Sequence, residues 1–75
     1  MSVLSEKVLQ AAIVYLGPAA KTFLERQTKH HMNGLAFDSL DKPHMPELIK
    51  WVKVSAGLII GKDKAEELAN KISKL

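Results

Sequence analysis

Leu4, Val8, Ala11, Ala12 and Tyr15 recur at helical spacing along the start of the chain, and Leu9, Ile13 and Leu16 form an adjacent row. Val3 and Val14 widen the two rows into an apolar arc broader than one surface helix needs. The pattern predicts a first helix over about 3–16, with Ser2 as its N-cap. A second helix follows over about 18–32, with Ala20, Phe23, Leu24, Gln27 and His31 on one side and Lys21, Glu25, Arg26 and Lys29 mostly on the other.

Gly17-Pro18 falls where the first pattern gives way to the second. Proline inside a helix removes a hydrogen bond and clashes with the preceding turn, at a cost of about 3 kcal/mol. At a first helical position it costs little, because that N–H has no helical partner. Glycine ahead of it can take the left-handed conformation that ends a helix. The dipeptide therefore predicts a sharp corner between two helices, with a steep change of direction. Asn33-Gly34 then stops the second helix.

Residues 35–45 read as a connector in which Leu35, Phe37 and Leu40 fold beneath the helices. Asp38 suits the cap of one short turn, and the alternation of Leu35, Phe37 and Ser39 also permits a short strand for which no partner is evident. A third helix is predicted over about 46–60, opened by Pro46 and Glu47. It is apolar nearly all round, and such a helix is either central or meets a partner chain with one face. Gly57 within it lowers helix propensity and is read as marking a close helix approach. Gly61 ends it. A fourth helix over about 64–75 carries a narrow stripe of Ala65, Leu68, Ala69, Ile72 and Leu75, with Asp63 and Glu66 as its capping pair. The expected fold is all-α, a single small domain over 1–75 built as a compact bundle of about four helices.

Composition changes this picture in two ways. The chain has 75 residues and no cysteine, so neither disulfides nor thiolate metal sites can reinforce a small core, and self-association becomes a natural source of added stability. A cytoplasmic setting fits the missing cysteines and an N-terminus without a positively charged leader. The net charge of +3 comes from lysine, with Arg26 the single arginine. That balance favours solubility over nucleic-acid recognition, which uses denser patches and more arginine. No segment approaches the roughly 20 apolar residues that span a bilayer.

Chemistry is sparsely represented. His30, His31 and His44 lack the spacing of a metal site, and adjacent histidines on a helix diverge. Ser39, Asp38 and His44 form a catalytic trio only on paper. No catalytic, cofactor-binding or metal-ligating residue is assigned, and no cofactor is expected. A helix-turn-helix across Gly61 would open its recognition helix with Asp63, Glu66 and Glu67, three acids facing phosphates. The basic set available to a weak nucleic-acid-binding alternative is Lys21, Arg26, Lys29, Lys50 and Lys53. A small-ligand pocket beside Trp51 and Phe37 is a further alternative. Trp51 has two readings, as a core anchor of the third helix or as an interface anchor beside Met45 or Leu48. The excess apolar circumference of the first and third helices points to protein–protein association, probable partners being a second copy or a signalling protein, with Leu4, Val8, Tyr15, Leu48, Trp51 and Ile59 as candidate interface residues.

The segment YLGPAAKTFLERQ, followed by HMPELIKWV and AEELANKI, resembles a small helical module attached to bacterial signalling proteins such as kinases and response regulators. The resemblance spans roughly Leu9 to Leu75, and Leu16-Gly17-Pro18-Ala19-Ala20 is its most specific part. It implies a helical accessory or association module and carries over no catalytic residue. The chain departs from that pattern in having no catalytic or receiver domain attached.

Overall fold

The computed structural model describes residues 1–75 and is entirely helical, with no strand. Four α-helices are present, α1 (Val3–Leu16), α2 (Ala20–His31), α3 (Met45–Ile60) and α4 (Lys62–Ser73). Counted as unbroken helical backbone, however, there are three long runs rather than four, because α1 and α2 are joined without interruption by a 3-10 turn at Gly17–Ala19. The expected corner is thus a shared turn rather than a gap between separate helices. Its geometry explains this. The Gly17 N–H still bonds the Ile13 carbonyl, which continues the α1 ladder, while φ 61° and ψ −145° at Gly17 redirect the chain. Pro18 then occupies the start of the 3-10 turn, where its missing N–H costs nothing, and the Ala20 N–H bonds the Gly17 carbonyl.

The other boundaries follow from similar local chemistry. The Ser2 side chain accepts from the Ser5 N–H at 3.0 Å and caps α1. The same hydroxyl donates to the Leu40 carbonyl at 3.0 Å, and the Ser2 N–H bonds the Asp38 carbonyl at 3.1 Å, so the start of α1 is tied to the connector. At the end of α2, Asn33 and Gly34 both take positive φ, and the Gly34 N–H bonds the Lys29 carbonyl at 3.1 Å. This is the Schellman closure, with asparagine in the left-handed position.

The connector forms two further 3-10 turns, Phe37–Ser39 and Lys42–His44. The strand option at 35–39 is therefore not taken. Asp38 lies inside the first turn, and Ala36 stands at its cap without a side-chain bond. Asp41 caps the second turn: its carboxylate accepts from the Lys42 N–H at 2.9 Å, and His44 Nδ1 accepts from the Asp41 N–H at 3.0 Å. The expected capping role of Asp63 is also corrected. Gly61 stands at the N-cap of α4, its carbonyl accepting from the Ala65 N–H, and α4 begins at Lys62 with Asp63 in its first turn. An acid there still complements the positive helix end.

All four helices and the connector contribute to one core. Val8 and Ala12 from α1, Ala20, Phe23 and Leu24 from α2, Phe37 and Leu40 from the connector, Leu48, Val52 and Ala56 from α3, and Ala65, Leu68 and Ile72 from α4 form a single cluster. Leu35, expected beneath the helices with Phe37 and Leu40, packs against its edge. α3 and α4 share the most extensive packing, and only Gly61 links them. Ser5, Gln27 and Thr28 are the buried polar residues, and each side chain finds a hydrogen-bond partner.

Candidate interaction surface

α2 and α3 meet along a ladder of side chains. Ser55 Oγ donates to Gln27 Oε1 at 2.8 Å, and Gln27 Nε2 donates to the Phe23 carbonyl at 3.2 Å. One turn further, the His31 imidazole stacks on the Trp51 indole, with ring centroids 4.1 Å apart and planes 10° from parallel. In the other direction Phe23 and Ile59 flank one shallow groove. Each step moves one turn forward along α2 and one turn back along α3, so the two helices run antiparallel. Lys50 Nζ lies 5.1 Å from the Trp51 ring centroid, within cation–π range. Trp51 consequently occupies neither of its two simple roles. It is half-buried at the edge of the core, held by His31 on α2, with part of its surface left open.

Beyond this ladder, α3 presents a second apolar stripe to solvent. Leu58 is 88% exposed, Ile59 64% and Val54 54%. Glu47, Trp51, Val54 and Leu58 follow one another in steps of four, three and four residues. At 3.6 residues per turn those positions fall within a band of about 60° on the helix surface. The inner stripe lies on another side of α3, where Leu48, Val52 and Ala56 are fully buried. α3 therefore has two apolar faces, one inside the bundle and one outside.

The expected interface residues separate accordingly. Ile59 is exposed beside the outer stripe, and Trp51 contributes its open part. Leu4 and Tyr15 are half-buried on α1, and Lys71 Nζ of α4 lies 5.3 Å from the Tyr15 ring centroid. Val8 and Leu48 are at 0% exposure, so they are core residues and have no surface to offer a partner. Sequence reasoning did not select Val54 and Leu58. In a helix apolar all round, periodicity cannot say which stripe is inside. A usable signal was nonetheless present: the outer stripe begins with charged Glu47, whereas the Leu48, Val52, Ala56 stripe carries no charge. Gly57 is corrected too. A methyl group added there would meet the Ala65 Cβ at 3.9 Å, an ordinary contact, so α4 does come near but glycine is not needed to admit it.

The polar side chains do not converge on a reactive centre. His31 is stacked on Trp51, His44 serves the connector cap, and His30 lines a cleft between α2 and residues 34–38. No group of three or more His, Cys, Asp or Glu side chains is placed to hold a metal ion. Arg26 and Lys29 share that cleft with Glu25 and Asp38, while Lys50 is over Trp51 and Lys21 and Lys53 line neither feature. The basic residues named for nucleic-acid binding therefore do not form one continuous patch. No helix is long and apolar enough to cross a membrane. Comparison with protein-family models, with curated proteins and with solved structures finds no match to this chain.

Proposed function

We propose that this chain is a non-catalytic helical association module that works by covering the outer face of α3 with another protein surface. The observation that carries the reading is the contiguous exposure of Val54, Leu58 and Ile59 beside half-buried Trp51. Exposed leucines scattered singly need no explanation, but adjacent ones on one helix face mark contact sites. Leaving that stripe in water is costly for a 75-residue domain whose core is small and unreinforced by disulfides. Self-association relieves the cost most directly, because every copy carries the same stripe. The resemblance of the Leu16-Gly17-Pro18-Ala19-Ala20 segment to accessory modules of bacterial signalling proteins supports a cytoplasmic signalling context for such a module.

Light scattering coupled to size exclusion tests the reading, with tryptophan emission followed over the same dilution series. The expected result is a mass that rises with concentration through the micromolar range, and a blue shift of Trp51 emission as its open part is covered. A constant monomer mass with unchanged emission overturns self-association.

A further inference from the structure

We infer that the outer face of α3 pairs with the same face of a second copy of this chain, the two α3 helices lying antiparallel across a two-fold axis. The inference rests on the association reading and adds to it the identity of the partner and the orientation. The alternating steps of four and three residues through Glu47, Trp51, Val54 and Leu58 repeat the spacing with which side chains of paired helices interlock. A closed dimer needs a self-complementary patch in which each residue meets a different residue of its mate. The stripe meets that requirement in one direction only.

Charge decides the direction. Glu47 stands exposed at the start of α3, and Lys62 stands exposed just beyond its end, after Gly61. Parallel copies would set Glu47 beside Glu47 and Lys62 beside Lys62. Antiparallel copies bring each Glu47 level with Lys62 of its mate, and they also oppose the helix dipoles. Size agrees with charge. With Val54 of one copy beside Leu58 of the other, the bulky Trp51 falls against Gly61 of the mate, where no side chain competes for space. Area sets the strength. A standard interface takes about 800 Å² from each partner, roughly a sixth of this chain's 4620 Å² surface. The outer stripe of one 16-residue helix supplies only part of that, so Ile59 and the aliphatic stems of Lys50 and Lys53 join it. The resulting pair is reversible and concentration-dependent.

The cysteine-free chain allows a direct test by single-cysteine cross-linking under mild oxidation. Glu47→Cys and Lys62→Cys both alter exposed positions and leave the apolar stripe intact. A mixture of the two variants is expected to form the mixed disulfide about tenfold faster than either variant cross-links with itself, given the short reach of a disulfide. Val14→Cys on α1 supplies the background rate, and light scattering of the unmodified chain is run alongside. Faster self-linking of Glu47→Cys means parallel helices and overturns the orientation. Background rates throughout, with a dimer still seen by light scattering, place the contact elsewhere and overturn the α3 assignment while leaving association standing. A monomer in light scattering at every concentration removes the association reading itself.

Discussion

α1 and α3 are the two most apolar helices of the chain, and they end alike. Gly17 after α1 has φ 61°, Gly61 after α3 has φ 89°, and in each case the next helical turn starts immediately. Their outer faces differ. On α1 the exposed apolar residues Val3, Ile13 and Val14 are separated by Glu6, Lys7 and Gln10, all exposed. On α3 the exposed apolar residues Val54, Leu58 and Ile59 continue from Trp51 without a charge between them on the stripe. Equal hydrophobicity thus yields one helix with scattered apolar contacts to water and one with a continuous face. The arrangement of exposed residues, not their number, distinguishes a solvated surface from a contact surface.

The largest test concerns the inner face of α3. Leu48→Ala removes a fully buried side chain and should destabilise the protein by about 2–5 kcal/mol in chemical denaturation. The counterpart on α1, Val14→Ala, trims a side chain that is 74% exposed and should stay within about 0.5 kcal/mol of the parent. A loss at Leu48 confined to dimer affinity, with monomer stability unchanged, would return that residue to the interface. Next in size is the shared helix ending. Alanine at Gly17 or Gly61 meets no neighbouring atom, so its cost comes from the backbone alone, about 1–3 kcal/mol at each site. Equal losses by thermal unfolding would show that the two endings are equivalent and that the difference between α1 and α3 resides in their side chains.

Leu58→Glu addresses the outer face itself. Leu58 is exposed, so monomer stability should hold within about 0.5 kcal/mol. Self-association should weaken about tenfold or more, equivalent to ~1.4 kcal/mol, read by sedimentation or light scattering. Val14→Glu on α1 should leave association unchanged. Equal effects at the two sites would erase the distinction drawn between the helices.

How much of this was legible in the sequence depends on how many faces each helix uses. α4 has one apolar stripe, and its buried residues Ala65, Leu68, Ala69 and Ile72 are those its spacing indicates. Gln27 and His31 also fall on the packed side of α2 that the spacing gives them. α3 has two apolar faces, and local periodicity cannot rank them, because the choice is made by tertiary packing against α2 and α4. That is why Leu48 was taken for an interface residue and Leu58 was passed over. The turn at Gly17–Ala19 was legible as a corner, but its continuity with α1 was not, since one backbone bond from Gly17 to Ile13 decides it. The rungs from Gln27 to Ser55 and from His31 to Trp51 needed the antiparallel pairing of α2 and α3, which no local signal specifies.

Gly57→Ala carries the smallest expected effect and a sign opposite to the others. The site is helical with ordinary φ, and the added methyl would rest against the Ala65 Cβ at 3.9 Å without a clash. Alanine also restricts the unfolded chain more than glycine does, and together these should raise stability by about 0.4–1 kcal/mol. Gly57 faces α4, away from the stripe of Trp51, Val54 and Leu58, so self-association measured at the same temperature should not change. Leu58→Glu should alter association without altering the fold, and Gly57→Ala should alter the fold without altering association. If Gly57→Ala tightened association as well, the two sides of α3 would be coupled through the bundle. The outer stripe could then no longer be treated as a surface independent of the core on which it is built.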